Sequence, residues 1–221
     1  MVSCMKLREL KALKALRHHD HIVTVKEMIL HNQQLHFVFE FLDGDLCRLV
    51  ESRLTELDIR CLSRQICAGL QAMHKAGYFH RDLKPDNVLF RRRKGRAHPA
   101  HPNCVVAKIT DFGITREIRS RPPFTPYVST RWYRAPELLL KSTVYNSPVD
   151  IWALGCVVAE LFLRRPLFPG KSNFDQAIKV FTLTGCPQPD SWAAGSRLIK
   201  RVGGEFGSLP DAVRRCSGGK R

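Results

Sequence analysis

The chain has 221 residues, 44% hydrophobic and 25% charged, with a formal net charge of +16. That is enough for one domain with a sizeable core, in the composition range of ordinary globular proteins. The longest apolar run, Ile151 to Leu163, is interrupted by Glu160 and is too short to cross a bilayer, which takes roughly 20 residues. The basic balance suits nucleotides, phosphoproteins, nucleic acid or acidic lipid, and equally a solvated basic surface. Eight cysteines lie outside any C-x-x-C spacing, no histidine pair completes a zinc pattern, and the first residues lack signal-peptide architecture. A reducing intracellular compartment is the default expectation.

In chain order, Leu7, Leu10, Leu13 and Leu16 recur among charged residues and predict an amphipathic helix over about 5–17. Two β-rich runs, 21–29 and 35–41, separated by polar residues 31–34, predict an antiparallel hairpin. Asp43-Gly44-Asp45 breaks that pattern as a hinge. Thr55-Glu56-Leu57-Asp58 has the form of a capping box, and Ile59, Leu62, Ile66, Leu70 and Met73 carry the helix behind it up to Gly77. Residues 91–103 are polar and basic and predict a loop, 105–109 a strand, and 116–128 a long exposed loop. Ser147 as N-cap, Pro148 in the first position and Asp150 in the first turn start a helix over 151–163, apolar on nearly all sides and expected inside a core. After Trp192 the signals weaken, and a poorly ordered basic tail is expected.

Three short motifs follow one another: His80-Arg81-Asp82-Leu83-Lys84-Pro85-Asp86-Asn87, then Asp111-Phe112-Gly113, then Ala135-Pro136-Glu137. Each alone is weak. In this order, with a helix before the first and a strand before the second, they form the protein-kinase signature set. The chain resembles the group containing the MAP kinases and cyclin-dependent kinases. The stretch Thr125-Pro126-Tyr127 to Glu137, with Pro122-Pro123-Phe124, residues 165–170 and residues 4–9, is most similar to the male-germ-cell-associated kinase family, tied to cilia and flagella. That family carries Asp where Pro126 stands. The resemblance implies an α+β, protein-kinase-like fold with a mostly helical C-lobe and an incomplete β N-lobe. It divides the chain into a partial N-lobe (1–42), a C-lobe with catalytic and activation loops (43–192) and a basic, poorly matched tail (193–221). It also implies the cytoplasm, with cilium, flagellum or nucleus as further locations.

Phosphoryl transfer asks for positioning and charge neutralisation rather than covalent chemistry. By resemblance, Asp82 orients the substrate hydroxyl and accepts its proton, and Lys84 neutralises the transferring group. Asn87 and Asp111 hold Mg²⁺, a hard cation that prefers oxygen ligands. Phe39 to Leu42 matches the gatekeeper and hinge: backbone groups of Glu40 and Leu42 bind the adenine of ATP, Asp45 reaches the ribose, and Leu89 forms the floor. His80 and Phe112 join Leu13 and Val25 in an apolar spine, and Asp150 anchors the catalytic loop backbone. Thr125 and Tyr127 are the regulatory phosphorylation sites, with Arg81 and Arg134 as their phosphate partners. Implied partners are protein substrates with Ser/Thr-Pro sites and an upstream activating kinase. No membrane partner is implied, and no motif supports nucleic acid.

No G-x-G-x-x-G-x-V and no V-A-I-K stretch occurs in the sequence, so the lysine expected opposite Glu9 is missing. The expectation is therefore a shortened kinase, with a truncated, catalytically dead binding or scaffold module as the alternative. The interval from Asp82 to Asp111 is longer than the family usually has. The excess, Arg91-Arg92-Arg93-Lys94-Gly95-Arg96 and its neighbours, reads as a solvated insertion, a nuclear signal or a site for an acidic partner.

Overall fold

The structure is a computed structural model and describes residues 4–52, 54–92, 105–121, 123–124 and 130–218. The first half holds α1 (Cys4–Leu16), β1 (Val25–His31), β2 (Gln34–Phe39), β3 (Gly44–Asp45), α2 (Leu46–Glu51) and α3 (Glu56–Lys75). Then come β4 (Tyr78–Phe79), β5 (Val88–Arg92), β6 (Val105–Ile109) and β7 (Arg116–Glu117). The remainder is helical: α4 (Pro136–Leu139), α5 (Pro148–Leu163), α6 (Asn173–Thr184), α7 (Pro189–Val202), α8 (Gly204–Gly207) and α9 (Leu209–Gly218). The architecture is α+β. Packing separates two compact units, one of residues 1–120 with 146–165 and the other of 121–145 with 166–221. These boundaries differ from the expected breaks at 42 and 192.

In the first unit, β1 and β2 pair antiparallel from Val25 opposite Phe39 to His31 opposite Gln34. The turn is shorter than the four polar residues suggest. Asn32 and Gln33 alone make it, at φ 47° and 61°, the left-handed pair that a two-residue I′ hairpin needs. Both faces of this ribbon are largely exposed. The second sheet has the order β3-β5-β6, all antiparallel. So Asp43-Gly44-Asp45 does more than break a pattern: Gly44 and Asp45 pair with Phe90 and Leu89. Arg91 and Arg92, expected in a loop, extend β5 against Val106 and Val105. Residues 93–104 of that segment lie outside the described residues. Arg116 and Glu117, also expected in a loop, pair with Phe79 and Tyr78.

Helix α3 is the spine of this unit. Thr55 and Asp58 form the expected capping box, each side chain bonded to the other's backbone N–H. Such a cap contributes about 1 kcal/mol. The buried face of α3 is Ile59, Leu62, Ile66, Leu70 and Met73, each adding roughly 1.5–3 kcal/mol on burial. Gly69 continues that face, where a Cβ would lie 2.9 Å from both the His21 carbonyl oxygen and Ile109 Cδ1. That close approach lets residues 21–23 bond to the end of β6: Ile109 N–H to His21 O and Val23 N–H to Ile109 O, both 2.9 Å. Gln65 closes the other part of this edge strand, accepting from Ala107 N–H at 2.8 Å and donating to Val105 O at 3.2 Å.

Helix α5 buries Val149, Ala153, Cys156, Val157 and Leu161. It is not enclosed as expected, since Ile151 and Phe162 stay 52% and 54% exposed. Nor does Ser147 cap it. Ser147 has helical backbone angles and makes no side-chain cap bond. The preceding Asn146 ties the helix start down instead, donating from its side chain to Ile118 O at 3.2 Å.

The second unit packs α6, capped by Ser172, with α9. Phe174 meets Phe206 edge to face, and Leu209, Ala212 and Val213 are buried. The expected poorly ordered tail is thus helical as far as Gly218. Its apolar residues are few, but they recur at helical spacing on one face.

Candidate active site

Residues 80–87 link β4 to β5, and the site is built on that link. Asp150, almost fully buried at the start of α5, holds it from below. Its Oδ2 accepts the His80 N–H and its Oδ1 the Arg81 N–H, both at 2.8 Å, and His74 Nε2 donates to Oδ2 at 2.8 Å. The expected anchoring role of Asp150 is therefore seen directly. Arg81 is held at φ 76°, a conformation costly for a residue with a side chain. His80 is buried with both ring nitrogens used: Nε2 donates to Thr110 O at 2.8 Å, and Nδ1 accepts the Asp82 N–H at 3.2 Å. Its ring meets Phe112 edge to face at 5.7 Å, the first link of the expected spine.

Asp82, Lys84 and Asn87 come together. Asn87 Nδ2 donates to the Asp82 backbone oxygen at 2.8 Å and lies 3.3 Å from Asp82 Oδ2. Lys84 Nζ is 3.6 Å from the same Oδ2. Asp111 arrives from the neighbouring strand. Val88 and Ile109 are paired, and Thr110 N–H bonds Asn87 O at 3.0 Å. Asp111 itself is exposed and takes φ 62°; among the described residues its Oδ1 accepts the Gly113 N–H, at 3.3 Å. Among the described residues, Asn87 Oδ1 and Asp111 Oδ2 accept no hydrogen bond. Two hard oxygens left open on paired chain segments fit Mg²⁺, which takes one or two protein oxygens and fills its shell with phosphate and water.

The hinge follows a second pattern. Glu40 N–H bonds Thr24 O at 3.0 Å, Phe41 O accepts from the Arg91 guanidinium at 3.3 Å, and Asp43 N–H bonds Phe90 O at 2.8 Å. The groups between them, Glu40 C=O and Leu42 N–H and C=O, have no protein partner among the described residues. The open groups at Glu40 and Leu42 are thus an acceptor, a donor and an acceptor. Asp45, expected at a ribose, caps α2: its Oδ1 accepts the Arg48 N–H at 3.0 Å. Leu89 is half-buried on β5, opposite Asp45 and Lys108.

Of the phosphorylation residues, Thr125 and Tyr127 lie outside the described residues. Arg81 donates to Ile114 O at 3.1 Å, and Arg134, in the second unit, to Asn173 Oδ1 at 3.3 Å. Burial pushes the Glu137 carboxyl above its ordinary range, against a hydrogen bond from its own backbone. Sequence reasoning missed two residues at the hinge. Lys108 Nζ lies 2.8 Å from Glu40 Oε1, and Arg91 pairs with Glu40 Oε2. Burial works to raise the Glu40 carboxyl; hydrogen bonds from Lys108 and Thr24 and the Lys108 charge outweigh it and hold it at about 2. No local signal could have paired residues so far apart in the chain.

A buried loop presenting a carboxylate, a lysine and an open amide oxygen, beside an exposed aspartate on the paired segment, is the arrangement of a protein-kinase fold. The protein kinase domain model matches residues 3–201, and the chain belongs to that family. It is 50% identical over 198 residues to the serine/threonine-protein kinase ICK of Mus musculus, covering 88% of this chain and 30% of that protein. It is 45% identical over 206 residues to the serine/threonine-protein kinase MAK of Homo sapiens, covering 92% of this chain and 31% of that protein. It is 43% identical over 206 residues to cyclin-dependent kinase F-4 of Oryza sativa subsp. japonica, covering 92% and 42%. The chain thus spans well under half the length of these relatives. Among solved structures it is similar to the yeast RNA Pol II CTD kinase CTDK-1 complex, with 33% identity and a TM-score of 0.75 over 86% of this chain and 60% of that one.

Proposed function

We propose that this chain carries the catalytic machinery of a serine/threonine protein kinase that transfers the γ-phosphoryl group of ATP to protein hydroxyls, with Mg²⁺. The observation that carries the reading is the convergence of Asp82, Lys84 and Asn87 around one carboxylate oxygen, with Asp111 on the paired segment. Asp82 accepts the proton of the attacking hydroxyl, and His80, Asn87 and Lys84 lie against it. Lys84 places a positive charge beside the carboxylate, where it offsets negative charge on the transferring group. Asn87 and Asp111 would hold Mg²⁺, which supplies neutralisation of phosphate charge when bound. The open side of the hinge at Glu40 and Leu42 complements the hydrogen-bonding edge of adenine.

Two finer points rest on the resemblance: a preference for proline after the phosphoacceptor, and activation by phosphorylation of Thr125 and Tyr127 with Arg81 and Arg134 as partners. Similarity to kinases named for cyclin dependence and for the Pol II CTD supports Ser-Pro and Thr-Pro substrates. A kinase-like binding module without turnover is the alternative that the following test separates.

The test is phosphate transfer from ATP with Mg²⁺ to a Ser-Pro peptide, by the wild-type chain and by Asp82→Asn. Loss of roughly 10²–10⁴-fold in the variant is the expected result. Transfer that survives the substitution rejects this site. Adenine binding with no transfer by either chain favours the binding module.

A further inference from the structure

The hinge is gripped through the Glu40 side chain and the Phe41 carbonyl, by residues of two strands. Glu40 has only 7% of its side chain exposed, and each of its oxygens is claimed. Oε1 takes Thr24 N–H at 2.8 Å and Lys108 Nζ at 2.8 Å, and Oε2 takes Arg91. Lys108, 10% exposed on β6, also donates to Ile22 O at 3.2 Å. Arg91, on β5 and 47% exposed, uses the same guanidinium nitrogen for Glu40 Oε2 and for the Phe41 carbonyl at 3.3 Å. Beside it, Arg92 N–H bonds Asp43 Oδ2 at 2.7 Å. None of these contacts uses Glu40 C=O, Leu42 N–H or Leu42 C=O.

We infer that Arg91 and Lys108 are positioning residues for adenine binding: they hold the Glu40 side chain and the Phe41 carbonyl so that the open hinge groups keep one orientation. This rests on the reading of the hinge as the adenine site. A hinge peptide free to rotate would lose alignment of donor and acceptor together, since both sit on one short extended segment. Lys108 is shielded and acts as a fixed post. Arg91 is half in solvent, so its part weakens as salt rises. Neither residue supplies one of the open hinge groups.

The experiment uses adenosine, which carries no phosphate and so reports the hinge alone. Its affinity for the full chain is measured with Arg91→Ala, Arg91→Lys and Lys108→Met, alongside amide hydrogen exchange of residues 39–44. Expected for Arg91→Ala are faster hinge exchange and adenosine binding weaker by roughly threefold to tenfold, the scale of one ordinary hydrogen bond. Lys108→Met gives at least as large a loss, and Arg91→Lys recovers part of it. Adenosine affinity indifferent to Arg91→Ala and Lys108→Met overturns the inference alone, as does unchanged hinge exchange. A wild-type chain that binds no adenosine overturns the adenine-site reading and this inference with it.

Discussion

Asp150 and Arg81 stand 69 residues apart in the chain, and the carboxylate of one holds the backbone of the other at 2.8 Å in a left-handed conformation. The strain of that conformation is tolerable because Asp150 also takes the His80 N–H and is itself held by His74. The loop of residues 80–87 thus owes its shape to a side chain at the start of α5.

Asp150→Ala leaves two buried N–H groups without acceptors. The expected loss of stability is roughly 2–5 kcal/mol, read as a fall in the urea midpoint. His74→Ala removes a donor while the acceptors remain, and its cost is smaller. A His74→Ala loss equal to that of Asp150→Ala would reject this ordering.

Glu40 ionises at about 2 in the folded chain against an ordinary 4.5. A depressed carboxyl stabilises the fold at pH above 4.5, and that contribution is lost as pH falls from 4.5 toward 2. Glu40→Gln lacks this term. The stability gap between wild type and Glu40→Gln is expected to be constant from pH 7 down to about 5 and to shrink below pH 4.5. Urea midpoints measured across pH 3–7 check it.

Gly170 is required by Gln176. A Cβ at Gly170 would lie 2.3 Å from Gln176 Oε1 and 2.6 Å from its Cα. Gly170 N–H donates to that same Oε1 at 2.9 Å, and Trp132 Nε1 donates to Gly170 O at 3.1 Å. Gly170→Ala should cost roughly 1–3 kcal/mol, the usual penalty of overpacking, and shift the emission of Trp132. Adding Gln176→Ala restores little, because the backbone clash remains. Full recovery in the double variant would show that the side chain alone mattered.

What could be read from the sequence was what lies close together in it. His80 to Asn87 carry their chemistry within one loop, and Asp111 follows a strand that pairs next to them. The α3 capping box is local too, and it forms as expected. The failures were of two physical kinds. Lys108 and Arg91 meet Glu40 across long sequence separations, where pattern carries no information. The second kind was punctuation read too strongly: Asn32-Gln33 turn the hairpin without glycine, and Gly203-Gly204 and Gly207 lie among helices whose apolar face still packs. Ser147 has the composition of a cap and lacks its backbone geometry.

The β1–β2 ribbon has two strands and little cover on either face, a construction that is barely stable by itself. Glu40 N–H bonds Thr24 O directly at its base. Local opening of the ribbon, which such elements undergo ahead of global unfolding, would therefore reach the hinge at Glu40 first. On that account a ligand seated on the hinge would stiffen the ribbon in return.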